Sequence, residues 1–318
     1  MKRSASIVLI LGILQFLGCA STPPPAATPA PDWLRVYSGK AKWHSLPPMS
    51  TARSSFAMGV VGDSLWVADG DAGGTMESLD LRTGTWKSET VKVPKSRFLC
   101  ASSALQDTLY VVGGFDGGKY YRDLWAFDPA KKSWTGKAPL GTERGGAALV
   151  ACEGNLYLLG GENFNGVLDT VERFEPASNR WTSLAKAPTA RSGVAAAVLD
   201  GKIYVVGGVA EEGESNKLEC FDPKSNQWTT LAPMPTARNM LSAEALNGKL
   251  YALGGVDIAG KDQNTVEVYD PKSNTWQPGS AMPTPRSTCR SAVVQNKLLV
   301  AGGTSGNDAL RTLELFNP

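Results

Sequence analysis

The sequence predicts an all-β fold built from six repeats of four short strands, and three observations predict it. Tryptophans stand at Trp43, Trp86, Trp134, Trp181, Trp228 and Trp276, spaced by 43, 48, 47, 47 and 48 residues. Each is followed ten or eleven residues later by an arginine: Arg53, Arg97, Arg144, Arg191, Arg238 and Arg286. Sixteen residues beyond each arginine a glycine pair begins, at Gly113, Gly160, Gly207, Gly254 and Gly302, with Asp69-Gly70 in the first unit. A fixed period of this length marks a repeat architecture.

Before the repeats, residues 1–18 have the form of a secretory leader. Lys2 and Arg3 precede an apolar run from Ala5 to Gly18. That run is shorter than the ~20 residues a membrane-spanning helix needs, so it predicts a cleaved signal. Phe16-Leu17-Gly18-Cys19 resembles a bacterial lipobox, which implies diacylation (palmitate-type) of Cys19, although Phe16 departs from the usual leucine. The next stretch, to residue 32, carries five prolines in ASTPPPAATPAPD and almost no charge. It cannot bury a core and predicts a tether at residues 19–32 that places the body roughly 40 Å from its anchor. The implied location is the cell envelope, outside the cytoplasm. In a Gram-negative cell it is the outer membrane or a periplasm-facing site, since Ala20 and not aspartate follows the cysteine.

The body, residues 33–318, repeats one pattern. After each arginine comes a strand of small residues, such as Val194 to Val198, then a hairpin signal such as Asp200-Gly201 or Asn247-Gly248. The second strand, Ile203 to Val206, is apolar at consecutive positions, so both of its faces are expected to be covered. A third strand such as Val266 to Tyr269 and a turn Asp-Pro-Lys-Ser-Asn lead to the tryptophan-bearing fourth strand. The last unit stops at its third strand, while Trp43 belongs to a fourth strand with no preceding three. The strand around Lys42 to Leu46 is therefore expected to complete the last unit and remove the open edges.

The double glycine, the tyrosine three residues before it, the aspartate-proline turn, the tryptophan and Met234-Pro-Thr-Ala-Arg238 together resemble the kelch repeat. The resemblance covers everything after the tether and is most like a bacterial lipoprotein form of the family. It implies an all-β six-bladed kelch-like β-propeller, its last blade closed by the N-terminal strand, with the small-residue strands innermost around a channel. Packing is the plain role of the repeated tryptophans and glycines. Cys100, Cys152, Cys220 and Cys289 are expected to be unpaired, mostly buried thiols.

Function on such a scaffold belongs to a site and not to the fold. In kelch-like adaptors that bind acidic peptides, arginines at this repeat position help hold carboxylates. The resemblance therefore makes Arg53, Arg97, Arg144, Arg191, Arg238 and Arg286 candidates for ligand binding, a role that guanidinium forks suit. The other reading is that each arginine pairs with a neighbouring loop acid or carbonyl and only stitches the blades together. Loops after the glycine pairs share that rim and differ from blade to blade, as a recognition surface does. Phe115, Asp116, Tyr120 and Tyr121 lie in one, and Glu162, Asn163 and Phe164 in the next. The tyrosines could instead cover a blade edge. Two further charges break the repeat on the innermost strands: Arg290 where other units have alanine or serine, and Glu244 where they have Gly59, Ser103, Val150, Ala197 and Ala292. They are expected either to neutralise each other or to form a polar channel site.

Formal net charge is +2, and without Lys2 and Arg3 the basic and acidic residues are equal. Such a body has no general attraction for nucleic acid or anionic lipid, so membrane contact is expected through the lipid only. The one histidine, His44, is expected at the surface, which leaves neither a copper centre of the galactose-oxidase kind nor a serine–histidine base. Asp69-Gly-Asp71 is a poor calcium loop without an oxygen at its fifth place. No cofactor, metal or catalytic residue is expected. The leading expectation is a monomeric, anchored binding module for a protein, acidic peptide or glycan. The alternative is a sugar-processing enzyme, because Glu162 directly after Gly161 resembles the glutamate position of sialic-acid mutarotases.

Overall fold

The computed structural model describes Tyr37, Gly39 and residues 41–318. The leader, Cys19 and the tether lie outside the described residues. The six units are six four-stranded antiparallel sheets, five of them with strands in chain order from the innermost outward. The innermost strands are Ala57–Val61, Ala101–Leu105, Ala148–Cys152, Ala195–Leu199, Ser242–Leu246 and Arg290–Val294. In the sixth sheet the outermost place is taken by Lys42–Leu46, which pairs Trp43 with Phe316 and Leu46 with Leu313. The expected closure is therefore the observed one. Among the described residues no helix is long and apolar enough to cross a membrane.

The second strands explain why the ring holds together. Ile203, Tyr204, Val205 and Val206 are all buried, because alternate side chains enter different seams. Tyr204 and Val206 join a cluster with Leu250, Ala252 and Tyr269 of the next blade. Ile203 and Val205 join Tyr157 and Leu159 of the preceding one. Six such clusters exist, one per seam, and each fully buried aliphatic or aromatic side chain contributes ~1.5–3 kcal/mol. The four body cysteines are buried free thiols. Burial pushes the Cys100 thiol up to about 11, so it is unreactive.

The glycine pairs sit where blades meet. Gly207 and Gly208 have φ of +67° and +95°, and a Cβ on them would stand 2.6 Å from the Arg238 carbonyl and 2.7 Å from that of Ser192. Only glycine tolerates both the conformation and the approach. The Gly208 N–H then donates to the Arg238 carbonyl of the next blade at 2.9 Å, and four other seams repeat this bond. The tryptophans also stitch: the Trp181 indole donates to Ala138 O and that of Trp228 to Ala185 O, in each case across a seam.

Candidate partner-binding rim and axial cavity

The expected ligand-binding role of the six arginines is corrected by their burial. Their exposures run from 0 to 3%. Arg191 is representative. Its Nη1 donates to Gly207 O at 2.7 Å and Lys217 O at 3.0 Å, and its Nη2 to Glu219 Oε2 at 2.6 Å. The Thr189 hydroxyl donates to the other carboxylate oxygen at 2.7 Å. Arg53–Glu77, Arg144–Glu172, Arg238–Glu267 and Arg286–Glu314 repeat the pair. Burial pushes the Glu77 carboxyl up, but bonds from Ser50, Arg53 and Thr51 outweigh it and hold the group below the usual range. The arginines thus tie the loop entering each blade to its second and third strands. Each glutamate follows its arginine by 24 to 29 residues, a register on the third strand that is visible in the sequence once sought.

Blade 2 departs from this. Trp125 occupies the glutamate position opposite Val111, and Arg97 instead lies 4.6 Å over the Tyr121 ring and 3.8 Å from Asp123.

With the guanidiniums sequestered, the loops themselves define the rim. The six loops after the second strands (71–76, 115–122, 162–169, 209–216, 256–265 and 304–311) carry ten carboxylates and four cations, so the exposed face is acidic. The flanking Lys95 and Lys186 are paired with Asp123 and Asp169. This removes the basis for an acidic-peptide ligand. Three loops rise as two-residue-a-side hairpins, including Glu162–Asn163 with Gly166–Val167, which the sequence did not predict. In the first unit the loop is a short 3-10 turn at Gly70–Ala72, where the Asp71 carboxylate accepts from Ser54.

Most of the singled-out rim residues converge between blades 2 and 3. Phe115 lies 4.6 Å from Tyr120 and 6.2 Å from Phe164, and Tyr120 lies 5.0 Å from Phe164 edge-on. Phe98, missed in the sequence, supports Phe115 from below at 5.5 Å. The pad is framed by carboxylates: the Tyr120 hydroxyl donates to Glu162 at 3.1 Å, and the Tyr121 hydroxyl to Asp116 at 2.6 Å. The Asp116 bonds, first that of Tyr121, hold its carboxyl below the usual range. Phe164 is 72% exposed, whereas Asn163 is buried and caps the hairpin turn. Ile258, on the loop of blade 5, is the other large apolar side chain left exposed among the described residues. The arrangement can grip a flat or aliphatic group on its face and a cation at its edge. The arginine–carboxylate pair that the sugar-processing reading needs does not assemble, because Glu162 engages Tyr120 and Arg144 engages Glu172.

A second concavity lies on the axis. The innermost strands enclose a cavity of about 410 Å³ lined chiefly by alanine, valine and serine. Glu244 and Arg290 both line it, but they do not form an ion pair, so mutual neutralisation is corrected. Arg290 Nε donates to Phe56 O and its Nη2 to Cys100 O, each at 2.7 Å. Glu244 accepts from the Ser291 hydroxyl at 3.0 Å. His44, expected at the surface, is half-buried with its ring 5.4 Å from Tyr37.

The fold and rim define a class: a closed six-bladed propeller that presents variable loops on one face, an architecture that typically serves as a protein-interaction module. Its sequence matches the family model for the KLHDC2/KLHL20/DRC7 Kelch-repeats domain over residues 33–208 and 146–318, and the chain belongs to the kelch-repeat family. Kelch-like protein 40 of Xenopus tropicalis is 33% identical over 115 residues, 32% of this chain and 19% of that protein. Human Kelch-like protein 34 is 28% identical over 156 residues, 43% of this chain and 24% of that protein. The chain thus spans about a fifth to a quarter of these relatives. A solved structure described as "Structure of YjhT" superposes with a TM-score of 0.77 at 18% identity, covering 84% of this chain and 95% of that one. At that identity the likeness is one of fold.

Proposed function

We propose that this protein is a lipid-anchored, extracytoplasmic interaction module that holds a protein partner on the acidic rim, with the Phe115–Tyr120–Phe164 pad as its anchor point. The observation that carries the reading is Phe164, a phenylalanine 72% exposed on a hairpin tip yet packed against Phe115 and Tyr120, the second of which bonds Glu162. Aromatic anchors ringed by polar groups are where interface energy concentrates. The surrounding carboxylates favour a partner segment that is basic as well as apolar, since opposite potentials steer association. Membership of the kelch family supports a protein as the partner class.

Selection of displayed random peptides against the full chain tests this. Enriched sequences should place arginine or lysine beside an aliphatic or aromatic residue. Phe164→Ala and Glu162→Gln should each weaken the best peptide about tenfold or more, a loss of ~1.4 kcal/mol, with melting unchanged. Enrichment of acidic peptides, or binding indifferent to Phe164, overturns the reading. The anchor is a separate matter, supported by the lipobox-like segment ending at Cys19. The wild type should incorporate labelled palmitate and pellet with membranes, while Cys19→Ala should do neither.

A further inference from the structure

We propose that the axial cavity is a second binding site, for a small zwitterion whose ammonium group meets Glu244 and whose carboxylate meets Arg290. The site is distinct from the rim and independent of the proposed partner. Its volume, about 410 Å³, falls in the range of small-molecule pockets. The walls are what a sixfold repeat of small residues makes: Gly59, Ser103, Val150, Ala197 and Ala292 stand at the level of Glu244. A repeat conserves volume at its axis because side chains crowd there, so a carboxylate and a guanidinium at two of these places need a reason.

The reason is not each other, as the two groups form no ion pair. Arg290 heads the innermost strand of the sixth blade and reaches carbonyls before the innermost strands of the first and second. It therefore crosses one mouth of the channel. A belt of backbone bonds surrounds that mouth: Gly146 N–H to Leu99 O, Gly193 to Gly146, Met240 to Gly193, Thr288 to Met240 and Ser55 to Thr288, at 2.8–3.2 Å. The mouth is thereby narrowed and carries a cation, whose Nη1 finds no protein partner among the described residues. Glu244 stands two residues deeper along its own strand, about 7 Å at ~3.3 Å per residue. Its protein partner is the Ser291 hydroxyl, which is itself 2.6 Å from that of Ser242.

A cation alone in this space would answer Glu244 but face Arg290, and an anion alone the reverse. One molecule with both charges, separated by a short apolar chain, satisfies both ends and lies against alanine and valine between them. Burial pushes the Glu244 carboxyl up to about 7, as expected of a carboxylate whose counter-charge is not supplied by the protein.

Titration calorimetry of the full chain with straight-chain ω-amino acids of increasing length, beside the matching alkylamines and alkylcarboxylates, tests the proposal. One chain length should bind best, at least tenfold more tightly than either singly charged analogue. Glu244→Gln should lose that binding and melt no lower than the wild type, whereas Arg290→Lys, which keeps the charge but loses the forked bonds to Phe56 O and Cys100 O, should retain part of it. The proposal is overturned if no member of the series binds, if the alkylamine binds as well as the amino acid, or if Glu244→Gln binds as the wild type does.

Discussion

A guanidinium on a propeller rim is a ligand group or a structural one according to how much water reaches it. Arg191 has lost its water and gained Glu219, two carbonyls and a neighbouring threonine-held carboxylate oxygen. Removing one member of such a pair leaves the other charge buried and alone, which costs ~3–5 kcal/mol. Arg191→Leu should therefore lower the urea-denaturation stability by about that much, while Arg191→Leu with Glu219→Leu recovers most of the loss. A single variant as stable as the wild type would mean that the pair is not held dry. Phe164→Ala is the counterpart: its ring is mostly in water, so stability should change within about 0.5 kcal/mol while partner binding suffers.

Among the seams, the one between blades 1 and 2 is built differently. Elsewhere a glycine N–H bonds the next blade's arginine carbonyl, but here the Asp69 carboxylate accepts the Arg97 N–H at 2.9 Å and the Ser96 hydroxyl at 3.0 Å. Among the described residues the axial belt lacks its link between Ser55 and Leu99, and the Trp134 indole N–H finds no partner. Where Asn179 and Asn226 accept a backbone N–H across their seams, Lys132 pairs with Glu89 instead. Charged contacts have thus replaced neutral backbone ones. In hydrogen exchange, amides of Leu99–Leu105 should open faster than those of Gly193–Leu199, and the gap should widen with added salt.

The same seam should respond to pH. Burial pushes the Asp69 carboxyl up to about 6, above its ordinary 3.8, so the folded state holds the proton more firmly than the unfolded one. This group's contribution is then greatest below about pH 4 and is lost as pH rises through 6. Asp69→Asn should flatten the denaturation profile across that window. Glu244→Gln separates the similar effect of Glu244, which extends to about pH 7.

For the whole molecule, closure depends on one five-residue strand. Lys42–Leu46 covers the edge of Leu313–Asn317 and sends the Trp43 indole to Ser280 O across the neighbouring seam. A chain starting after Leu46 would expose that edge. It should elute as higher oligomers in size-exclusion chromatography and melt at a lower temperature than the complete body.

Fold and closure were legible because each rests on a repeat: the tryptophan, arginine and glycine frames count the blades, and a fourth strand without its first three says how the ring is sealed. The rim was legible in part. Phe115, Tyr120, Glu162 and Phe164 were recognisable as candidates on neighbouring loops, but that they form one pad is a matter of two loops meeting across a seam, which spacing does not encode. The role of the arginines was open in the sequence, because a chemical type at a repeated position is the same whether its partner is a ligand or a glutamate on the third strand. By itself, then, the sequence determined the architecture, since periodic packing demands write themselves into every unit. Only the tertiary structure decided the sign of the rim and the independence of Glu244 from Arg290, since burial and pairing depend on groups brought together from distant strands.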